Sequence, residues 1–68
     1  MLITHIREHR EQRAMTQSEL AKAVGVRRET IVHLENGKYN PSLKLAMDIA
    51  NLFETTVETL FRFVEETP

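Results

Sequence analysis

Apolar side chains recur three or four positions apart along most of this chain, which is the spacing of one face of an α-helix. The longest such stripe follows Pro41 and Ser42 and comprises Leu45, Ala46, Ile49, Ala50 and Phe53. Shorter stripes comprise Leu20, Ala21 and Val24, then Ile31 and Leu34, and finally Val57, Leu60 and Phe61. A more charged stretch at residues 3–14 precedes them, with Ile3 and Ile6 as its apolar contacts. The pattern therefore predicts five short helices.

Capping residues and glycines mark where the predicted helices begin and end. Thr16 and Glu19 have the spacing of a capping box, in which each side chain accepts a hydrogen bond from the backbone amide of the other residue. Thr55 and Glu58 repeat this spacing before the last predicted helix. The remaining boundaries are a left-handed C-cap at Gly25, a helix end at Asn36-Gly37 and a helix start at Pro41-Ser42.

The two ends of the chain leave two structures open. Residues 1–4 and 62–65 are short, and Phe61 and Phe63 alternate with Arg62 and Val64 as residues of a β-strand do. Chain termini commonly fray, and pairing of the two ends in a small antiparallel β-ribbon is the alternative. The predicted fold class is therefore all-α, a five-helix bundle forming one domain over residues 1–68, with either frayed ends or a terminal antiparallel β-ribbon.

Composition excludes several classes of protein. A chain of 68 residues forms one small domain and is too short for a catalytic cleft between two domains. Hydrophobic residues make up 41% and charged residues 28% of the chain, which is ordinary for a globular domain. There is no cysteine, no apolar run of transmembrane length and no signal-peptide pattern. These features predict a cytoplasmic protein with no disulfide and no cofactor.

The net charge of −1 argues at first against a nucleic-acid-binding protein, because such proteins are usually basic. The charges are unevenly distributed, however. Residues 1–38 carry seven lysines and arginines against five acidic residues, whereas residues 39–68 carry two against five. The first part therefore has a net charge of +2 and the second part −3. A mildly basic half predicts few phosphate contacts and a strong reliance on base contacts and on pairing of subunits.

The second and third predicted helices, joined by a tight turn containing Gly25, have the arrangement of a helix-turn-helix motif. The second helix of such a motif enters the major groove of DNA. Ile31 and Leu34 set the inward direction of that helix, and a rotation of about 100° per residue turns other side chains outward. These are Glu29, Val32, His33 and Asn36, with Arg28 at the flank. A merely solvated helix face is the alternative, but it does not explain why Val32 points outward.

The outward side chains have the chemistry to read base edges. Arg28 can donate two hydrogen bonds to guanine, Glu29 can accept one from cytosine, and Val32 can cover a thymine methyl group. Thr30 and His33 are spaced to reach either a base or a phosphate, and we assign His33 to the bases and Thr30 to the DNA backbone. The other predicted backbone contacts are Gln17, Arg27, Asn36 and Lys38.

Five separate runs carry a family resemblance: Met15-Thr16-Gln17-Ser18-Glu19-Leu20-Ala21, Val24-Gly25-Val26, Thr30-Ile31, Leu34-Glu35-Asn36-Gly37-Lys38 and Asn40-Pro41-Ser42. Over about residues 6–61, the chain resembles the Cro/cI-type family of helix-turn-helix regulators, also called the xenobiotic-response-element family. The short length and the run at residues 38–43 resemble the stand-alone cytolysin-repressor-type members. The resemblance implies a homodimer whose helical bundle is extended by a terminal β-ribbon.

The resemblance also implies roles for individual residues. It implies that Gln17 contacts a phosphate, that Arg28 and Glu29 read bases, and that Arg10 and Glu35 form a structural pair between the first and third helices. Three positions depart from the family pattern: Arg27 replaces a Ser or Thr cap, Glu29 replaces Gln, and His9 replaces Leu. We therefore expect Arg27 to weaken the helix cap while adding a cation, and Glu29 to read cytosine rather than adenine. We expect His9 to reduce the apolar packing of the first helix.

Together these features predict a sequence-specific DNA-binding transcriptional regulator, namely a dimeric repressor on a palindromic operator. Repression is favoured because so short a chain has no spare domain to receive a signal or contact the polymerase. A dimerisation segment is expected at about residues 57–66, because this segment has more apolar surface than five small helices need. Its predicted interface residues are Leu60, Phe61, Phe63 and Val64. The alternative function is a protein-interaction module such as an antitoxin-like partner, which would lack DNA binding that depends on sequence and salt.

One motif points to a different chemistry. The run His5-Ile6-Arg7-Glu8-His9 matches the H-x-x-E-H string of a zinc peptidase class. A catalytic zinc requires a third protein ligand and a walled cleft, and a chain of 68 residues is not expected to provide them. No nucleophile and base occur at a useful spacing either. We therefore predict neither a metal site nor an enzyme.

Overall fold

Two short strands and five helices make up the computed structural model, which describes residues 2–65. Their order is β1 (Leu2–Thr4), α1 (Ile6–Gln12), α2 (Gln17–Val24), α3 (Arg28–Glu35), α4 (Leu43–Leu52), α5 (Val57–Leu60) and β2 (Phe61–Phe63). The five predicted helices and the terminal ribbon are thereby confirmed, and the option of frayed ends is wrong for the described residues. Within this part of the chain, no helix is long and apolar enough to cross a membrane.

The ribbon joins the two ends of the described chain. The antiparallel register sets Leu2 opposite Phe63, Ile3 opposite Arg62 and Thr4 opposite Phe61. The predicted start of the first helix at residue 3 is wrong, because Ile3 belongs to β1 and α1 begins only at Ile6. The β-branched Ile3 and Thr4 suit a pleated strand. The His5 N–H then donates to the Leu60 carbonyl at 2.8 Å, which ties the start of α1 to the end of α5.

Local capping chemistry agrees with the sequence at one helix and differs at another. The predicted box at the start of α2 is confirmed, since the Thr16 amide donates to Glu19 Oε1 at 2.9 Å and the Glu19 amide donates to Thr16 Oγ1 at 3.0 Å. The predicted cap at Thr55 is wrong. The Thr55 amide donates to the Ala50 carbonyl at 2.9 Å and so completes the end of α4. Thr56 is the N-cap of α5, and its hydroxyl accepts the Thr59 amide at 3.1 Å.

The core consists of the predicted apolar stripes. Ile6, Leu20, Ile31, Leu34, Ile49 and Leu60 are each 0% exposed, and Phe53 is 2% exposed. Met15, Val24, Val26, Val57 and Phe61 pack around this cluster as partly buried side chains. Every helix contributes at least one buried residue, so α2 and α3 are held in one orientation against the rest of the domain.

The end of α1 packs on the aromatic ring of Phe53. The Arg13 guanidinium lies 5.0 Å from the ring centroid, and its Nη2 donates to the Phe53 carbonyl at 2.7 Å. The His9 ring lies 5.6 Å from the same ring, centroid to centroid. Cation–π and aromatic contacts of this kind stabilise packing at a partly exposed site. His9 thus packs its ring where the resemblance implies Leu.

Gly37 fixes the place of β1 beside the end of α3. Its φ of +70° lies in the left-handed region that favours glycine. A Cβ at this position would also overlap the Leu2 carbonyl oxygen. The absence of a side chain therefore allows the ribbon to lie directly against the turn that follows α3.

Candidate nucleic-acid interface

The connection between α2 and α3 is a tight turn. Gly25 ends α2 in the left-handed conformation with φ +75°, as predicted, and the Val26 amide donates to the Ala21 carbonyl at 2.9 Å. Arg27 follows as the N-cap of α3, and among residues 2–65 its side chain makes no capping hydrogen bond. Because Ile31 and Leu34 are fully buried, the rotation of α3 about its axis is set by the core.

This rotation gives α3 one outward face, which we call the reading face and define as Arg28, Glu29, Val32 and His33. Arg28, Glu29 and His33 are exposed, and Val32 is half-buried. Among the predicted backbone contacts, Arg27, Asn36 and Lys38 are exposed, whereas Gln17 and Thr30 are half-buried. Of the predicted side chains, the structure brings Gln17, Arg28 and Asn36 together around one surface cavity.

Hydrogen bonds connect the reading face to α2. Arg28 Nη2 donates to Gln17 Oε1 at 3.2 Å, and Gln17 Nε2 donates to Glu35 Oε1 at 3.1 Å. The Gln17 side chain therefore links both ends of α3. This contact holds an exposed arginine in one direction, which reduces the conformational entropy it loses on binding.

The Arg10–Glu35 pair connects α1 to this chain of hydrogen bonds. Arg10 Nε donates to Glu35 Oε2 at 2.7 Å and Arg10 Nη2 to Glu35 Oε1 at 3.2 Å. The remaining Arg10 Nη1 donates to the Met15 carbonyl at 2.9 Å. The two side chains are only 12% and 5% exposed. The hydrogen bond to Glu35 raises the pKa of Arg10, against the opposing effect of burial.

A polar cavity of about 430 Å³ lies where α1, α2 and α3 meet, and we call it the junction cavity. It is lined by Arg7, Arg10, Thr16, Gln17, Ser18, Arg28, Glu35 and Asn36. Arg7 and Ser18 are not among the predicted site residues. Both could have been identified from the sequence, because Arg7 lies three residues before Arg10 on the same helix face and Ser18 is the second residue of α2.

One of the predicted interface residues in the C-terminal segment, Leu60, is wrong. Leu60 is 0% exposed and belongs to the core, so it has no surface to offer a second subunit. Phe61 is partly buried, whereas Phe63 is 69% and Val64 39% exposed. Residues 66–68, which include the last residue of the predicted dimerisation segment, lie outside the described residues.

An apolar groove of about 260 Å³ lies beside the ribbon. We call this surface the ribbon face and define it as Leu43, Ala46, Val57, Phe61 and Phe63. Leu43 is 71% exposed, while Ala46 forms part of the buried core beneath it. The ribbon face therefore combines two protruding apolar side chains with an apolar hollow next to them.

The histidines of the H-x-x-E-H string make local contacts. His5 is the N-cap of α1, and its Nδ1 lies 2.7 Å from Glu8 Oε2. His9 Nδ1 lies 3.0 Å from the His5 carbonyl oxygen. Over residues 2–65, no group of three or more His, Cys, Asp or Glu side chains is arranged to hold a metal ion.

The α2–turn–α3 geometry defines a helix-turn-helix protein. Residues 6–60 match the helix-turn-helix family, and the chain belongs to this family, in its Cro/cI type. It is 64% identical over 63 residues to an HTH-type transcriptional regulator of Archaeoglobus fulgidus, covering 93% of this chain and 90% of that protein. A regulator of Methanothermobacter thermautotrophicus is 50% identical over 64 residues, which cover 93% of each chain.

The fold is also found in a solved structure. The crystal structure of a protein from Bacteroides fragilis matches with a TM-score of 0.78 and covers 91% of this chain and 100% of its own. The two sequences are 24% identical, so this likeness concerns the fold alone.

Proposed function

We propose that the protein is a sequence-specific transcriptional regulator that inserts α3 into the major groove of DNA. The observation that carries this proposal is the hydrogen-bonded reading face. Arg28 is exposed and held by Gln17 at 3.2 Å, as a side chain that reads a fixed base requires. Membership of the helix-turn-helix family and the regulator relatives support the same conclusion.

The reading face divides the proposed contacts into two sets. Arg28, Glu29, Val32 and His33 contact bases, with guanine for Arg28 and cytosine for Glu29 as the chemical matches. The proposed contacts to the DNA backbone are made by Gln17, Arg27, Thr30, Asn36 and Lys38. Base contacts determine sequence preference, whereas backbone contacts determine register and salt dependence.

Selection of preferred sequences from a random DNA library, followed by binding titrations, tests the proposal. Arg28→Ala is expected to cost about 1–3 kcal/mol and to relax the preference at one base pair. Lys38→Ala is expected to weaken binding evenly and to lower the salt slope by about one unit. Lys22→Ala, which removes an exposed lysine near the end of α2, is the matched control. An unchanged sequence preference in Arg28→Ala would contradict the assignment, and the absence of any preference in the wild type would favour a protein-interaction module.

We also propose that the protein binds a palindromic operator as a homodimer through the ribbon face, within a dimerisation segment at about residues 57–66. A two-fold interface brings the same patch of both subunits together, so a protruding Phe63 can enter the apolar hollow of its partner. Two reading helices would then lie about 34 Å apart, one turn of DNA. Repression would follow from occupation of the operator.

Sedimentation equilibrium at micromolar concentration tests the homodimer. The wild type is expected to sediment as a dimer and Phe63→Ser as a monomer, because the change removes the largest exposed apolar side chain of the ribbon face. Leu52→Ser, at the last residue of α4 and on the opposite side of that helix from Leu43, is the control that should remain dimeric. A monomeric wild type would refute the homodimer.

A further inference from the structure

Arg7 is a cation of α1 for which the proposed function has no role. Its side chain is 68% exposed, and its Nε lies 3.3 Å from Glu11 Oε2. Exposed pairs of this i,i+4 type are weak and are easily exchanged for a stronger partner. Over the described part of the chain, no hydrogen bond is made by its two terminal nitrogens. Most of the donors of Arg7 are therefore available to a ligand.

The charge of the junction cavity points to an anion. Three arginines and one glutamate line it. Arg10 and Glu35 neutralise each other, and all of the Arg10 nitrogens already donate to Glu35 or to the Met15 carbonyl. Arg7 and Arg28 therefore give the cavity lining a net positive charge, since Glu11, the weak partner of Arg7, does not line it.

Uncharged donors face the same space. The capping box of α2 occupies the amides of Thr16 and Glu19. Gln17 and Ser18 line the cavity, and within residues 2–65 their amides donate to no carbonyl or side chain. The volume of about 430 Å³ accommodates a phosphate group together with several waters, each of which occupies about 30 Å³.

We propose that Arg7 binds a phosphodiester of the DNA backbone at the junction cavity, so that α1 joins the helix-turn-helix in contacting DNA. This inference rests on the proposed function. Arg28 lines the cavity and also belongs to the reading face. A phosphate held at the cavity therefore lies on DNA whose bases Arg28 reaches, which favours a backbone phosphate over a free anion.

Binding titrations with the preferred DNA sequence test the role of Arg7. Arg7→Ala is expected to bind about tenfold more weakly, as for loss of one charged hydrogen-bond donor. Loss of one phosphate contact lowers the salt slope by about 0.9, so the affinity ratio of wild type to variant should fall about 3.5-fold between about 50 and 200 mM salt. The preferred bases should stay the same. Arg7→Lys should retain most of the slope, and Lys22→Ala, which removes an exposed cation of α2 outside the junction cavity, should leave both quantities unchanged.

The possible failures are distinguishable. If the wild type prefers a DNA sequence and Arg7→Ala keeps the wild-type salt slope, the role of Arg7 is refuted while the proposed function stands. If the wild type shows no preference, the proposed function itself fails. An NMR titration with inorganic phosphate separates the two sources of the anion. The assignment to the DNA backbone would be overturned if inorganic phosphate shifted the Gln17 and Ser18 amide signals saturably at concentrations as low as those at which the preferred DNA binds.

Discussion

Glu35 holds three helices together, and Glu35→Ala is the change whose effect follows most directly from the structure. Its carboxylate accepts hydrogen bonds from Arg10 Nε at 2.7 Å, Arg10 Nη2 at 3.2 Å and Gln17 Nε2 at 3.1 Å. Without it, the Arg10 guanidinium keeps the Met15 carbonyl as its remaining partner. The change also removes the contact that holds Gln17 towards α3.

The expected loss of stability is large for so small a domain. Removing one member of a buried ion pair costs about 3–5 kcal/mol, because the other charge is left unpaired. Arg10 borders the junction cavity and can regain some water, so we expect the lower end, about 3 kcal/mol. A domain of 68 residues has a total free energy of unfolding of about 3–10 kcal/mol. The double change Arg10→Met with Glu35→Leu should be close to neutral, because no charge remains buried.

Urea unfolding followed by circular dichroism measures these differences. Lys44→Ala is the matched control, since Lys44 and Asp48 form an ion pair at the same 2.7 Å but with side chains 85% and 37% exposed. It should change the free energy of unfolding by less than about 0.5 kcal/mol. If Glu35→Ala lowers the free energy of unfolding by less than about 1 kcal/mol, the Arg10–Glu35 pair contributes no more than an exposed pair does. That result would refute the argument from burial.

Three further sets of substitutions test the fold. Gly37→Ala should cost about 2–3 kcal/mol in thermal unfolding, because its Cβ would overlap a backbone oxygen of β1, whereas Gly25→Ala meets open space and should cost about 1 kcal/mol. Hydrogen bonds to the Glu19 carboxylate from Thr16, first from its backbone amide and then from its side chain, lower the pKa of Glu19 below its ordinary value of 4.5. Its contribution to stability should be complete above that value and lost as the pH falls through the lower pKa of the folded state, and Glu19→Gln should abolish this acid dependence. Thr56→Ala should cost about 1 kcal/mol, and Thr55→Ala less than half of that.

A capping pattern in the sequence predicts the start of a helix correctly when its residues make no hydrogen bond to a neighbouring helix. The box of Thr16 and Glu19 agrees with the structure because both partners lie within one turn of α2. Thr55 and Glu58 have the same spacing, but the Thr55 amide bonds the Ala50 carbonyl at the end of α4. The cap therefore moves to Thr56. The spacing of two residues cannot reveal that a neighbouring helix end needs one of them.

The ribbon depends on both ends of the chain at once. Alternation around Phe63 allowed a strand, but a strand of three residues forms only when a partner is brought beside it. The folding of the bundle brings Leu2 opposite Phe63, and the same folding takes Ile3 out of the predicted first helix. It also buries Leu60, which in the sequence looks no different from the exposed apolar residues that follow it.

The five helices and the outward direction of α3 could be predicted from local patterns along the chain. These features rest on the helical period and on caps, which are interactions within a turn or two of chain. Which side chains meet across the helices depends instead on how the helices pack. Arg10 and Glu35 are 25 residues apart, and their pairing through Gln17 to Arg28 exists only after α1, α2 and α3 have packed on one core. The junction cavity and Arg7 beside it follow from that packing, because a cavity is made by surfaces that only the folded chain brings together.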